Sequence, residues 1–109
     1  MKSALYFADD QVSDAFFTLR HGREEEKEIF HQLNTAFDRI AMDPFCGIQV
    51  PKRQIPRVYS TKYGIDNLWK LNFHKNWRLL YSVAGDENGV IALVLEWLSH
   101  KEYERRFGY

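Results

Sequence analysis

The stretch "NLWKLNFHKNWRLLYSV", residues 67–83, decides the fold class that this sequence predicts, because apolar and polar residues alternate along it. Alternation with a period of two is typical of a β-strand with one buried face. One face of the first strand is apolar and comprises Trp69, Leu71 and Phe73. The opposite face is polar and comprises Lys70, Asn72 and His74. The second strand begins at Trp77 and carries Arg78, so an otherwise apolar hairpin presents cations on one side.

Two further strands complete the predicted sheet. The turn "GDENG" lies between residues 77–84 and a second apolar run at residues 89–98. Because strands joined by short turns pair antiparallel, residues 67–73, 77–84 and 89–98 predict a three-stranded antiparallel meander. The segment "SALYFA", residues 3–8, predicts a short N-terminal strand, which we expect at an edge of the sheet.

Two amphipathic helices are predicted between the N-terminal strand and the meander. The first, in "DDQVSDAFFTLR", has apolar residues at helical spacing, namely Val12, Phe16 and Leu19. The second, in "REEEKEIFHQLNTAFDRIAMD", has an apolar stripe formed by Ile29, Leu33, Phe37 and Ile40. The break "RHG" at residues 20–22 predicts an antiparallel helix hairpin. Pro44 ends the second helix, because proline cannot continue it.

The predicted architecture is a single α+β domain over residues 1–109, with both helices packed on one face of the sheet. Residues 44–66 hold all three prolines and are predicted to form a connecting segment with one short extended piece near "RVYST". The chain end "SHKEYERRFGY" leaves the last strand and is compatible with a short helix. One layer of helices covers one face only, so we expect the opposite face to be free for function.

The composition excludes several classes of protein. A single cysteine, Cys46, allows no internal disulfide and no zinc cluster, which fits a reducing cytosol. The N-terminus lacks the pattern of a signal peptide, and no stretch approaches the roughly 20 apolar residues of a membrane helix. We therefore expect a cytoplasmic protein with no membrane contact.

The zero net charge conceals an asymmetry between the two halves of the chain. Residues 1–50 contain 5 Lys and Arg against 9 Asp and Glu, a net of −4. Residues 51–109 contain 10 against 6, a net of +4. A basic second half suggests that a polyanion meets one side of the fold, although two solvated surfaces would produce the same counts.

The face expected to be open collects side chains suited to cleaving RNA. By strand parity it comprises Lys70, Asn72, His74, Arg78, Leu80, Ser82, Val94, Glu96, Leu98 and His100. A general base would take a proton from the 2′-hydroxyl, and a general acid would protonate the leaving 5′-oxygen. Histidine titrates near neutral pH, and arginine binds phosphate through two donors while stabilising charge on phosphorus. This chemistry requires no metal and no cofactor, and the histidines lack the spacing of metal ligands.

The same residues also permit an interpretation without catalysis. Lys70 and Lys75 are of the kind that solvated strands and turns carry. Arg78 would then pair with Glu96 across the sheet, an interaction of little energy when exposed. By residue chemistry alone, a nuclease is one hypothesis among several.

The order of elements and three short motifs resemble the RelE/ParE superfamily of toxins from bacterial and archaeal type II toxin–antitoxin modules. "NLWKLNFHKNWRLLYSV" is similar to the family's basic hairpin, whose second strand reads aromatic-Arg-aliphatic-aliphatic-Tyr. "LEWLSHKEYERR" resembles the last strand and tail of the RelE-like and HigB-like branches. "IPRVYSTKYGIDNLW" resembles archaeal RelE-like relatives. The resemblance covers most of the chain and implies a RelE-like order of strand, helix hairpin and meander.

RelE-type toxins cleave mRNA in the ribosomal A site without metal, and a cognate antitoxin neutralises them. The resemblance therefore implies an mRNA interferase whose partners are the ribosome, mRNA and an antitoxin. Arg78 matches the arginine that stabilises the scissile phosphate, and His100 and Tyr103 match the C-terminal residues that serve in acid/base chemistry or base stacking. Lys70 matches the basic residue of the preceding strand, and we expect it to bind substrate together with Lys75 and Arg105.

Two departures from the family pattern keep other functions open. Asn72 or Leu71 stands where RelE has the second lysine of a pair, and the chain is neutral although ribosomal RNA binding depends on phosphate contacts. The alternatives are a ParE-like gyrase inhibitor and a RelE-fold binding protein that has lost catalysis. A plain protein-interaction domain would also fit the neutral charge.

Overall fold

The computed structural model describes residues 2–108 and has an α+β fold, as the sequence predicts. The described helices are Asp10–Thr18 (α1), Glu24–Met42 (α2), Arg57–Tyr63 (α3) and His100–Phe107 (α4). The described strands are Ser3–Phe7 (β1), Ile48–Gln49 (β2), Trp69–Phe73 (β3), Trp77–Asp86 (β4) and Gly89–Leu98 (β5). No helix within residues 2–108 combines the length and the apolar content needed to cross a bilayer.

The five strands form one mixed sheet in the order β1-β5-β4-β3-β2. β1 pairs parallel with β5, where Tyr6 lies opposite Leu93, and the other neighbouring strands pair antiparallel. The edge position predicted for the N-terminal strand is therefore confirmed. At the other edge lies β2, a two-residue strand that the sequence does not predict.

The β3–β4 hairpin closes through two residues with positive φ. Lys75 and Asn76 have φ of 47° and 65°. The Trp77 N–H donates to the carbonyl oxygen of His74 at 3.0 Å. Positive φ at both central positions is the signature of a type I′ turn, whose twist matches that of the paired strands. The turn places Lys75 at the exposed tip of the hairpin.

One side of the sheet, which we call the first face, packs against α1 and α2. Asp9 caps α1 by accepting a hydrogen bond from the Val12 N–H at 2.9 Å. A 3₁₀ turn at Leu19–His21 separates the two helices at the predicted break. The buried core of this face comprises Val12, Phe16, Ile29, Leu33, Ala36, Phe37, Ile40, Leu71, Leu79, Tyr81, Ala92 and Val94. The helical stripes read from the sequence therefore meet the sheet as predicted.

The opposite side, which we call the second face, is not free as the sequence analysis expects. It holds a second buried core that comprises Val50, Tyr59, Leu68, Leu80, Leu95, Leu98 and Tyr103. The segment before β3 supplies α3, and the end of the chain supplies α4. Leu80, Leu95 and Leu98 require a cover because leaving three leucines in water costs several kcal/mol.

The segment "RVYST" is helical rather than extended, so that prediction is wrong. It lies in α3, which follows Pro56 and ends at Gly64, a residue with φ of 65°. Tyr59 is almost fully buried in the second core, and Tyr63 packs against the same core one turn later. α3 has only seven residues, of which Tyr59 and Tyr63 pack in this core. A helical period cannot be recognised in so short a sequence.

A β-bulge in β5 overturns part of the predicted face assignment. Leu80 lies opposite Glu96 and Tyr81 opposite Val94, so Leu95 has no counterpart on β4. An extra residue in one strand reverses the alternation beyond it. Val94 therefore packs in the first core, whereas the prediction placed it on the same face as Glu96.

Candidate nucleic-acid site

Two cations of the second face converge on Tyr103 of α4. Lys70 of β3 donates a hydrogen bond from Nζ to the Tyr103 hydroxyl at 3.0 Å. The Lys70 Nζ lies 5.1 Å, and the Arg78 Cζ 5.4 Å, from the centroid of the Tyr103 ring. Cations at this distance are attracted by the ring quadrupole. The structure thus brings together three of the residues predicted for the site.

The register of the sheet explains why these two cations lie side by side. Lys70 lies opposite Leu80, and Arg78 lies opposite Asn72, two residues further along the hairpin. Both side chains project from the second face, where Leu80 is buried beneath α4. Arg78 also donates from Nη1 to the Asn76 carbonyl oxygen at 2.6 Å, which ties the guanidinium to the turn.

Within residues 2–108, neither Lys70 nor Arg78 makes an ion pair. The ion pairs of this part of the chain join Lys27 to Glu24, His100 to Glu104 and Arg106 to Glu96. Lys70 and Arg78 are each half-buried against an uncharged aromatic ring. Within residues 2–108 no carboxylate therefore pairs with either charge, which favours an anionic ligand such as a phosphate.

A capping box at the start of α4 positions Tyr103. The Ser99 Oγ accepts from the Glu102 N–H at 3.3 Å, and Glu102 Oε1 accepts from the Ser99 N–H at 2.9 Å. Tyr103 is 4% exposed and stacks on Phe107 with 4.3 Å between ring centroids. Its aromatic surface is thus covered by Phe107 and the two cations, and its hydroxyl is held by Lys70.

His100 lies at the exposed start of α4 and pairs with a carboxylate of the same helix. Its Nε2 lies 3.0 Å from Oε1 of Glu104, one helical turn away. β5 ends at Leu98, which lies opposite Arg78. His100, the first residue of α4, follows Leu98 by two positions in the chain. The structure therefore places His100 at the rim of the site and gives it a carboxylate partner.

The other two predicted binding residues lie apart from Tyr103. Lys75 is exposed at the turn beyond Arg78, and Arg105 is exposed on α4. Residues two apart on a helix do not share a face, so Arg105 points away from the side of α4 that carries Tyr103. Arg105 borders a surface depression of about 330 Å³ together with Glu102 and Arg106. Lys75 therefore lies at the tip of the hairpin that carries Arg78, whereas Arg105 lies on a side of α4 that does not face Tyr103.

A second polar cluster on this face was not predicted from the sequence. The Tyr59 hydroxyl donates to Oε2 of Glu96 at 2.6 Å, and Arg106 Nη1 lies 2.7 Å from the same oxygen. Arg106 Nη1 also donates to the Tyr59 hydroxyl at 3.2 Å. Glu96 therefore pairs with Arg106 of α4, and not with Arg78 as the non-catalytic interpretation expects.

Burial and charge act in opposite directions within this cluster. Burial raises the pKa of the Tyr59 hydroxyl well above its usual range, and the hydrogen bond to the Glu96 carboxylate raises it further. Burial alone would lower the pKa of Arg106, but the electrostatic interactions and hydrogen bonds with Tyr59 and Glu96 raise it overall. The cluster therefore keeps a neutral phenol and a charged guanidinium, which hold α3 and α4 to β5.

One signal in the sequence pointed to this cluster. Glu96 is the only acid within the apolar strand β5, which predicts a specific environment for its side chain. Its partners were not predictable, because Tyr59 lies in a segment expected to be extended and Arg106 in a short terminal helix whose packing the sequence does not indicate. Their proximity arises only when α3 and α4 pack on the same face of the sheet.

The described residues offer no obvious metal site. Within residues 2–108, no three His, Cys, Asp or Glu side chains lie close enough together to hold an ion. The arrangement that remains is two uncompensated cations beside a tyrosine hydroxyl, with an exposed histidine at the rim. Comparisons of the chain with known protein families, with curated proteins and with solved structures find no match.

Proposed function

We propose that the protein is the RelE-like toxin of a toxin–antitoxin module, a cytoplasmic endoribonuclease that cleaves mRNA on the ribosome without metal. The observation that carries this proposal is the convergence of Lys70 and Arg78 on Tyr103 without any carboxylate partner for either cation within residues 2–108. Two adjacent, uncompensated cations bind a phosphodiester better than they bind a neutral ligand. The order of strand, two helices and sheet strands supports the same family assignment.

In this proposal each residue of the site has a chemical role. Arg78 binds the scissile phosphate through two N–H donors and stabilises the charge that develops as the 2′-oxygen attacks phosphorus. Lys70 binds a second phosphate oxygen, and the Tyr103 hydroxyl orients its ammonium group. His100 exchanges protons with the reacting oxygens. The 2′-hydroxyl gives its proton to His100, the 2′-oxygen bonds to phosphorus, and the bond from phosphorus to the 5′-oxygen breaks as that oxygen takes up a proton, so the products are a 2′,3′-cyclic phosphate and a 5′-hydroxyl.

Lys75 and Arg105 would contact the RNA backbone on either side of the cleaved bond. Both are exposed, and neither takes part in an ion pair within residues 2–108. Backbone contacts of this kind add affinity that falls as salt concentration rises. The acidic first turn of α2, which carries Glu24, Glu25 and Glu26, must face away from the ribosome.

The test is cleavage of a defined mRNA on programmed ribosomes, mapped by primer extension. We expect the wild-type protein to cut in the A site, and Arg78→Ala to lower the rate by about 10²- to 10³-fold, as for the loss of one stabilising donor. Arg39→Ala is the matched control, because Arg39 is an exposed arginine of α2. Absence of cleavage by the wild type, or equal rates for both variants, would contradict the proposal.

A second candidate function is supported by one observation. Asn72 lies opposite Arg78 on the face where a nuclease of this family would carry a second lysine. A ParE-like gyrase inhibitor, or a RelE-fold binding protein without catalysis, needs no such pair. Inhibition of gyrase-driven supercoiling, without cleavage of ribosome-bound mRNA, would support the gyrase function.

The proposed antitoxin is tested by its effect on growth. We expect expression of the wild-type chain to arrest growth, and co-expression of a cognate antitoxin, to be sought as a short reading frame beside its gene, to restore it. Arg78→Ala should permit growth without that partner. Arrest by Arg78→Ala at wild-type strength would separate toxicity from the site.

A further inference from the structure

The outer part of β4 has an edge that no described strand covers. The β3–β4 ladder ends where Trp69 lies opposite Tyr81, but β4 continues to Asp86. At Val83 the side chain of Asn67 replaces a strand: its amide accepts from the Val83 N–H and donates to the Val83 carbonyl oxygen, both at 2.8 Å.

Beyond this point the backbone of β4 can accept a further strand. Alternate residues of an antiparallel strand direct their peptide groups to the same edge. Gly85, two residues after Val83, therefore directs its N–H and carbonyl oxygen to this edge. We call residues 84–86 the free edge. Within residues 2–108 no strand pairs with it on this side.

An apolar groove lies on each side of the free edge. The groove on the first face has a volume of about 350 Å³, and its apolar walls include Phe45, Trp69, Val83 and Val90. The groove on the second face has a volume of about 590 Å³, and its apolar walls include Tyr63, Ile65, Ala84 and Leu93. A strand added beside residues 84–86 would send successive side chains into opposite grooves.

The charged residues that line the grooves or lie at the end of β4 are acidic, and the lysine near them is Lys62, whose Nζ lies 5.3 Å from the centroid of the Tyr63 ring. Asp66 lines the second groove, and no lysine or arginine lines either groove. Asp86 and Glu87 are exposed at the end of β4, and Asp43 is exposed two residues before Phe45. An occupant with basic flanks would therefore be attracted, whereas a second copy of this chain would bring the same acids and be repelled.

We propose that the free edge binds an extended segment of a partner protein, with a short apolar run flanked by lysine or arginine. The segment adds a strand in line with β3 and pairs with the peptide groups of Gly85. The first groove is mainly apolar, and the second presents Tyr63, Ile65 and Leu93 beside polar side chains. We therefore expect consecutive residues of the run to be apolar, as in strands that are buried on both faces. The edge is short, so side chains in the grooves contribute more affinity than the backbone hydrogen bonds. This binding does not depend on the proposed nuclease activity.

The probe for this proposal is the synthetic peptide KKVLVLKK, added to ¹⁵N-labelled full-length protein and followed by amide resonances. We expect shifts centred on residues 83–86, with weaker or no binding of EEVLVLEE and of KKSGSGKK. Gly85→Pro removes the edge N–H and should weaken binding about tenfold, the equivalent of one hydrogen bond. Gly85→Ala is the matched control, because a Cβ there would meet only the Gly89 carbonyl oxygen, at 3.5 Å.

A second variant keeps the test valid if Gly85→Pro does not fold. Val90→Lys places an ammonium group in the first groove and should weaken binding of the basic peptide by at least the same factor. Equal binding of the basic and acidic peptides, shifts centred on β1 or β2, or no shift up to the solubility limit of the peptide would overturn the proposal. Shifts of residues 83–86 that depend on protein concentration alone would identify a second copy as the occupant and overturn it as well.

Discussion

The two faces of the sheet are covered by helices of very different length. On the first face, α1 and α2 contribute 9 and 19 residues, and the core between them and the sheet is apolar. On the second face, α3 and α4 contribute only 7 and 8 residues. Isolated helices this short are marginal in water, so α3 and α4 depend on their contacts with the sheet.

The contacts of α3 and α4 with the sheet combine apolar packing with charged groups, whereas the core of the first face is apolar. This difference bears on function. Tyr103 and Tyr59 are buried in the second core, yet their hydroxyls bind Lys70 and Glu96. On the first face, among the described residues, the cation placed over an aromatic ring is Arg20, which lies 5.7 Å from the centroid of Phe30. A face that holds cations at the margin of a core keeps them oriented while leaving part of each side chain accessible. This arrangement is what a phosphate-binding site requires.

The largest expected effect tests whether the second face holds a true core. Leu79 and Leu80 are adjacent in β4, fully buried, and point to opposite faces. We expect Leu79→Ala and Leu80→Ala each to lower the free energy of unfolding by about 2–5 kcal/mol, measured by urea denaturation. A loss below about 1 kcal/mol for Leu80→Ala alone would mean that α3 and α4 do not enclose this residue in solution.

The next effect is an alkaline loss of stability to which both faces contribute. Burial raises the pKa of Tyr59 on the second face and of Tyr81 on the first face above the usual value of 10.0. The unfolded chain therefore releases these protons first as the pH rises. Their contribution to the free energy of unfolding is complete below about pH 10. Above that pH the free energy of unfolding falls by up to about 1.4 kcal/mol per pH unit for each tyrosine.

Phenylalanine variants separate the two contributions. We expect Tyr59→Phe and Tyr81→Phe each to reduce the slope of stability against pH above pH 10, measured by urea denaturation. Tyr6→Phe is the control, because Tyr6 is 56% exposed. An unchanged slope for Tyr59→Phe would show that the Tyr59 hydroxyl is accessible to water. The second face would then not contribute to the alkaline loss of stability.

A smaller effect is expected from the tyrosine that holds the two cations. Tyr103→Phe removes the oxygen that accepts from Lys70 but preserves stacking on Phe107. We expect a loss of about 1 kcal/mol in unfolding free energy and about a tenfold lower rate of mRNA cleavage. Unfolding in urea and primer extension measure the two quantities. Unchanged cleavage would exclude a role for the hydroxyl in positioning Lys70.

The smallest effect is expected at the rim of the site. His100 and Glu104 form a pair at 3.0 Å, but their side chains are 55% and 44% exposed. We expect Glu104→Ala to change the unfolding free energy by no more than about 0.5 kcal/mol, as for other exposed pairs. Cleavage should be retained or increased, because His100 is freed for proton transfer. A marked loss of cleavage would instead make Glu104 part of the site.

Much of the first face was predictable from the sequence, because regular periods reveal it. The alternation in residues 67–83 predicts a hairpin, and the stripe from Ile29 to Ile40 predicts the side of α2 that meets it. Both patterns extend over several turns or strand residues, so each residue supports its neighbours. The cations Lys70 and Arg78 were also placed on one side of the hairpin by parity alone.

Only the tertiary structure decided what covers and surrounds those cations. The bulge at Leu95 separates Val94 from Glu96, and no local signal marks it in an apolar strand. α3 and α4 are too short to show a period, and they form because Tyr59 and Tyr103 find apolar partners on the sheet. Periodic patterns thus determine which side of each long element is buried, whereas contacts between distant short segments determine the second core, the Tyr103 cluster and the free edge.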